Sequence, residues 1–215
     1  MKKNIVILSI ISLLSISYNA FSQNENSNIQ DVLNDFKNIS GSFNQVQNNN
    51  NKAKTMNGTF SFAQPNKFIW EYKKPMHQII QSDGNKIYLY DKDLQQISIK
   101  STNEAMKSSP IAIFFNNKEW INKFNYSSVN KNTWTKNLPI NNVHTWIVLK
   151  PKEKDSIYKN LSIGLEKNKS LTPKFLTFQD NLGNDGYIEF NNINKKNFNE
   201  RDFKFNIPKG IDVIE

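Results

Sequence analysis

The sequence contains no cysteine and, in 215 residues, only one arginine, two histidines and seven glycines. Without cysteine the chain has no disulfide, no thiolate metal site, no cysteine nucleophile and no N-terminal lipid-modified cysteine. A single guanidinium, that of Arg201, disfavours sequence-specific nucleic-acid binding, because bidentate recognition of guanine or phosphate normally relies on arginine. The glycines are isolated and form no phosphate-binding loop, and no GxSxG nucleophile elbow is present.

The remaining titratable residues predict no catalytic site and no metal site. His77 and His144 have no partner at metal-ligand spacing. The acidic residues Asp83, Asp91 and Asp93 lie between predicted strands, where an aspartate side chain bonds its own backbone in a turn. We therefore predict that the protein is not an enzyme and binds no cofactor.

Aromatic residues are abundant in an otherwise polar chain. There are 15 Phe, 7 Tyr and 4 Trp, while apolar residues make up only 37% of the sequence. This aromatic content predicts a folded protein with a real core, and the length fits one domain. The net charge is +9 and comes almost entirely from lysine. We attribute the lysine and asparagine bias to base composition of the genome rather than to a basic binding surface.

The first 22 residues are typical of a secretory signal peptide. Lys2 and Lys3 precede a short apolar run that is too short to span a bilayer comfortably. Ala20 and Ser22 provide small residues for cleavage after Ser22, with cleavage after Ala20 and an uncleaved anchor as alternatives. Residues 23–215 are then the mature domain. A secreted protein without disulfides fits a bacterial periplasm.

The mature chain combines a first helix with many short strands. Ile29, Val32, Leu33 and Phe36 recur at helical spacing, so we expect a helix over about 28–39, ended by Gly41. A second helical segment is expected after Ser109 and Pro110. Strands are predicted at 42–47, 60–63, 68–73, 87–90, 97–99, 124–129, 143–149, 158–166, 173–179, 186–190 and 202–206. Strands in series without helix alternation predict one antiparallel sheet that curls or closes, with the helices covering its open face.

Two runs carry a resemblance to a known family: GTFSFAQPNKFIWEY from Gly58 to Tyr72, and QSDGNKIYLYD from Gln81 to Asp91. Both are similar to the outer-membrane lipoprotein carrier proteins of the Gram-negative periplasm. Further similarity is found in SFNQ from Ser42, in SPI from Ser109 and in the C-terminal run 205–213, so the resemblance covers nearly the whole mature chain.

The resemblance implies a fold and a cargo. It implies an unclosed antiparallel β-barrel of about 11 strands covered by an α-helical lid, with lipoprotein acyl chains between sheet and lid. It also implies a monomer that is loaded by an inner-membrane ABC transporter and unloaded onto an outer-membrane receptor lipoprotein. Since that receptor carries a lipidated N-terminal cysteine, a chain without cysteine resembles the soluble carrier.

Candidate site residues fall in three groups. The lipid-binding cavity of the sheet is expected to contain Phe60, Phe62, Phe68, Trp70, Ile80, Tyr88, Tyr90, Ile97, Ile99, Trp146 and Val148. The lid is expected to contain Ile29, Leu33, Phe36, Ile111, Phe114 and Phe115. A slip of one residue would replace Tyr88 and Tyr90 by Ile87 and Leu89. At the position of Gln64 the family commonly has an arginine that hydrogen-bonds the lid, so we expect Gln64 to form a weaker latch.

Three alternative functions fit the sequence less well. A lipid-binding or lipoprotein-sensing module of the same fold would act in signalling, but such sensors usually carry a second domain. A secreted lipid hydrolase requires a nucleophile and a base, which the sequence does not place together. A single-strand nucleic-acid binder would use lysine with exposed aromatics, against the burial expected here.

Overall fold

A computed structural model of the chain describes residues 29–34, 36–49, 52–102, 110–114, 121–130, 132, 135, 138–154, 156–167 and 171–214. The predicted leader, residues 1–22, and the predicted lid residue Phe115 lie outside these ranges.

Twelve strands make up most of the described chain. They are β1 (Ile39–Asn49), β2 (Lys52–Ala63), β3 (Lys67–Lys74), β4 (Gln78–Asp83), β5 (Lys86–Asp91), β6 (Gln96–Ser101), β7 (Phe124–Val129), β8 (Thr145–Pro151), β9 (Tyr158–Lys167), β10 (Leu171–Asp180), β11 (Asp185–Lys195) and β12 (Asp212–Ile214).

All twelve strands belong to one sheet that does not close. Its order is β12-β6-β5-β4-β3-β2-β1-β11-β10-β9-β8-β7, with β12 and β7 at the two edges. This confirms the predicted single unclosed sheet. Two details differ from the prediction: there are twelve strands, and β12 pairs with β6 in parallel, whereas every other neighbouring pair is antiparallel.

The first helical segment ends earlier than expected. Residues 29–34 are helical, and the chain has entered β1 by Ile39, because Asn38 adopts a left-handed φ of 51° and ends the helical segment. Gly41, the predicted stop, lies within β1, where a Cβ would approach the Asn191 carbonyl oxygen at 2.7 Å. The second predicted helix is a 3₁₀ helix, Pro110–Phe114.

The predicted strand over 202–206 is wrong. A 3₁₀ helix, Glu200–Phe203, occupies the start of this segment. Its first turn is stabilised by the backbone N–H of Asn199, which donates to the Asp202 carboxylate at 2.9 Å. Phe203 and Phe205 alternate with polar residues, which is the pattern of a strand. The bond between the Asp202 side chain and the Asn199 backbone favours a helical turn instead.

The two faces of the sheet have different covers. The inner face is the one that packs against residues 29–34, Phe36 and Pro110–Phe114, which together we call the lid, and it forms the main core. The outer face carries the C-terminal segment, where the Gln81 side chain donates to the Phe203 carbonyl oxygen at 2.9 Å.

Candidate functional site

Aromatic rings join the lid to the inner face of the sheet. The ring of Phe36 lies 4.4 Å from that of Phe114, stacked, and 5.3 Å from that of Phe190, edge to face. Phe114 in turn lies 5.5 Å from Phe190 and 6.4 Å from Phe62. All four side chains are buried. The lid is therefore closed onto the sheet by interlocking rings, a geometry that adds favourable energy to the buried area.

A second group of rings lines the centre of the inner face. Phe43 stacks on Trp70 at a centroid distance of 3.8 Å, and Phe60 lies opposite Trp70 in the strand register. The stack depends on Gly58, opposite Phe43, because a Cβ there would lie 2.8 Å from the Phe43 ring and 1.8 Å from the Glu71 carbonyl oxygen. Phe43 is not among the cavity residues predicted from the sequence, although its place in the SFNQ motif is a usable signal.

Gln64 bonds the lid. Its side-chain amide donates to the backbone carbonyl oxygen of Phe114 at 3.4 Å. Gln64 lies in the turn between β2 and β3, so the bond joins the edge of the inner face to the last residue of the 3₁₀ helix. The contact has the position expected of a latch, while its length and the absence of charge make it a weak one.

Six of the predicted cavity residues lie on the outer face. In β5, Ile87 and Leu89 face the core, so Tyr88 and Tyr90 point outward, where Phe205 packs against both rings. Residues directly opposite share a face. The outward set is Tyr88, Tyr90, their cross-strand partners Ile99 and Ile97, and, from β8, Trp146 and Val148.

The physical reason for this correction is that both faces of the sheet are covered. Ile97 and Trp146 are only 0% and 6% exposed although they face outward. Trp146 packs across Gly164, where its ring carbons lie 3.0 Å from the position that a Cβ would take. When outward positions are buried as well, apolar alternation does not distinguish one face from the other.

The predicted residues that the structure brings together on the inner face and lid are Phe60, Phe62, Phe68, Trp70, Ile80, Ile29, Leu33, Phe36, Ile111 and Phe114. Ile87 and Leu89, named as the alternative to Tyr88 and Tyr90, also lie on the inner face. Inner-face residues that the prediction missed include Phe43, Ile147, Leu149, Leu161, Ile163, Leu176, Ile188 and Phe190. Most of the missed residues belong to β8–β11, where aliphatic side chains predominate over the aromatic ones that guided the prediction.

Two cavities lined by described residues lie at the margins of the inner face. One, of about 510 Å³, is lined by Gln45, Pro110, Tyr158, Phe178 and the β10–β11 turn. The other, of about 350 Å³, lies near the start of β1 and is lined by Ile39, Pro173 and Phe190 among others. The aromatic side chains of the inner face that the lid covers are buried, so a long apolar ligand that contacts them would need the lid to move.

Two tyrosine side chains near the larger cavity remain uncharged. The Tyr72 hydroxyl donates to Gln45 Oε1 at 2.9 Å. Burial raises the pKa of Tyr72, and the neighbouring Trp70 N–H lowers it by a smaller amount. Burial, followed by the charge of Asp180, raises the pKa of Tyr158 well above its usual range. Both phenols therefore stay neutral at ordinary pH, as a site for apolar ligands requires.

The carboxylates examined for catalysis are turn residues. Asp83 Oδ1 accepts the backbone N–H groups of Asn85 and Lys86, and Asp91 Oδ1 accepts those of Asp93 and Leu94. Burial raises the pKa of Asp83, but the bonds from Lys86 and Asn85 outweigh it and the net shift is downward.

Within the described ranges no group of three or more His, Cys, Asp or Glu side chains is placed to hold a metal ion. No helix in that part of the chain is long and apolar enough to cross a membrane.

Comparison with known proteins identifies the family of the chain. The family model of the outer membrane lipoprotein carrier protein LolA matches residues 34–206, which include almost the whole sheet. The chain belongs to the LolA family. An outer-membrane lipoprotein carrier protein of Cupriavidus necator is 33% identical over 193 residues, covering 87% of this chain and 86% of the relative. That of Neisseria meningitidis serogroup B is 33% identical over 182 residues, covering 84% and 82%.

Solved structures support the LolA fold at low sequence identity. A LolA superfamily protein of Nitrosomonas europaea matches with a TM-score of 0.51 at 8% identity, covering 84% of this chain and 98% of that one. An uncharacterized conserved protein of Thermus thermophilus matches with a TM-score of 0.53 at 10% identity, covering 88% and 98%. These matches show the architecture of the sheet and carry no information on ligands.

Proposed function

We propose that the protein is a periplasmic carrier that binds the acyl chains of lipoproteins released from the inner membrane and takes them to an outer-membrane receptor. The observation that carries the proposal is the aromatic inner face of an unclosed sheet, closed by a lid through Phe36 and Phe114, in a LolA family chain. The proposed ligand site comprises the inner-face residues and the lid. A carrier performs no chemical step, so no catalytic residue is assigned.

The energetics of the cargo explain the need for such a site. Each methylene left in water costs about 0.8 kcal/mol, so three chains of roughly 15 methylenes cost on the order of 36 kcal/mol when exposed. The aromatic inner face offers an apolar surface without demanding one ligand shape.

We include in the proposal a leader over residues 1–22, loading by an ABC transporter, unloading onto a receptor lipoprotein, and a monomeric state. The relatives described above are carriers by name, so a signalling role is not favoured.

The test is a release assay. Purified protein is incubated with membrane vesicles that contain the lipoprotein-releasing transporter, a triacylated lipoprotein and ATP, and the soluble fraction is assayed for lipoprotein. We expect release well above a control without carrier. Release equal to that control overturns the proposal.

Neighbouring residues provide a matched pair for the site. Leu89→Gln places an amide on the inner face, whereas Tyr88→Gln places one on the outer face. We expect Leu89→Gln to reduce release severalfold and Tyr88→Gln to leave it near the wild-type level. Phe68→Glu, at a fully buried position of the same face, should abolish release. Thermal unfolding of each variant separates loss of the fold from loss of the site.

A further inference from the structure

A polar cluster lies within the aromatic wall of the inner face and is formed by Trp70, Tyr72 and Gln45. Trp70 is 1% exposed, and its Nε1 has no hydrogen-bond acceptor among the described residues. A buried donor without a partner is costly, and native proteins rarely contain one without a functional or structural reason. Its position at the centre of the proposed ligand site suggests that the partner arrives with the ligand.

The surroundings of this donor are specific. The Tyr72 hydroxyl is close enough for the Trp70 N–H to affect its pKa, but the two groups are not in hydrogen-bonding geometry. Tyr72 instead donates to Gln45 Oε1. Gln45 also lines the 510 Å³ cavity, and its side-chain nitrogen donates to none of the described residues. Tyr72 thus links the two N–H donors, because its hydroxyl bonds Gln45 at the cavity and its ring lies 6.2 Å from that of Trp70, edge to face.

We propose that Trp70 Nε1, assisted by the Gln45 amide, binds the acyl carbonyl oxygens of the lipid. This rests on the proposed function, because it assumes that acyl chains enter between sheet and lid. An indole N–H can only donate and a carbonyl can only accept, so the two are complementary. An alkyl chain offers no polar atom by which its depth can be set. The carbonyl at its head would therefore fix how far the chain enters, and would distinguish acyl lipids from alkyl ones.

The test compares two synthetic lipopeptides that differ only at this group. One is a short peptide with two ester-linked fatty chains on a glyceryl group, and the other has the same chains in ether linkage. We expect the wild-type protein to bind the ester form up to about tenfold more tightly, the effect of one neutral hydrogen bond. In Trp70→Phe the two affinities should converge. Trp146→Phe, on the outer face, is the matched control and should keep the preference.

A spectroscopic readout makes the test independent of how the variant folds. In the wild-type protein, the indole N–H proton resonance of Trp70 should move downfield with the ester lipopeptide and much less with the ether form. Equal affinities together with equal shifts overturn the carbonyl subsite and leave the carrier function standing. Failure to bind either lipopeptide overturns the carrier function itself.

Discussion

The lid is held by two kinds of contact, and their magnitudes differ enough to be separated. The Gln64 amide donates to the Phe114 carbonyl oxygen at 3.4 Å, near the upper limit for a hydrogen bond. Since a neutral bond contributes about 0.5–1.5 kcal/mol net, this one should contribute about 0.5 kcal/mol. The Phe114 side chain is fully buried and contacts Phe36 and Phe190. Truncating such a side chain costs about 3–5 kcal/mol.

These values predict different responses of the opening equilibrium. Gln64→Ala should raise the ratio of open to closed lid about twofold, because about 1.4 kcal/mol corresponds to a factor of ten. Phe114→Ala should raise it more than a hundredfold. Gln64→Arg should lower it about tenfold, because a hydrogen bond from a charged donor contributes about 1.5–3 kcal/mol, against about 0.5 kcal/mol for the bond of Gln64.

Distances between spin labels measure the opening. The chain has no cysteine, so Asn34→Cys in the lid and Asn44→Cys in β1, both exposed, give two unique attachment sites. Distance distributions are recorded without lipid and with a lipopeptide, below the unfolding temperature. Val148→Ala, on the outer face, is the control for general loss of packing. If Gln64→Ala opens the lid as far as Phe114→Ala does, or if Gln64→Arg matches the wild type, the reasoning is refuted.

Two further predictions concern stability. Gly58→Ala should lower the free energy of unfolding, measured in urea, by about 3 kcal/mol, because its Cβ would overlap the Glu71 carbonyl oxygen. The control Ser61→Ala, in the same strand, should change the free energy of unfolding little. Equal effects of the two substitutions would contradict the close approach at Gly58. Tyr158→Phe should reduce the loss of stability above pH 10. Burial and Asp180 raise the folded-state pKa of Tyr158, so its contribution is complete below the unfolded pKa and is lost as the pH rises above it. Parallel urea midpoints for Tyr158→Phe and wild type between pH 8 and pH 11 would contradict this.

The period of the apolar residues was sufficient to predict the sheet and its lid. Alternation around Phe60, Phe62, Phe68 and Trp70 predicted a hairpin whose inward residues share a face, and the register confirms it. Helical spacing from Ile29 to Phe36 predicted the segment that covers this face. In both cases one side of the element is markedly more apolar than the other, so the pattern has a single interpretation.

The face of β5, β6 and β8 could not be predicted in the same way. β5 and β8 carry large apolar side chains at both parities, as in Ile87, Tyr88, Leu89 and Tyr90, while the two apolar residues of β6, Ile97 and Ile99, both face outward. The deciding partner of the outer face, Phe205, lies more than a hundred residues further along the chain. Local pattern contains no information on such a contact. The parallel pairing of β12 is equally non-local, since Val213 lies opposite Ile97.

The closed lid has a consequence for how a carrier of this kind could both bind and release its cargo. Burying a large apolar side chain contributes about 1.5–3 kcal/mol, and the lid buries several, among them Leu33, Phe36, Ile113 and Phe114. Acyl chains that enter must replace these contacts. Their net binding free energy is therefore the free energy gained by burying the acyl chains minus the free energy lost when the lid side chains leave the inner face. Such a difference is far smaller than the cost of exposing the acyl chains to water. A more apolar acceptor can therefore take the cargo without an energy source, while the lid returns to the inner face behind it.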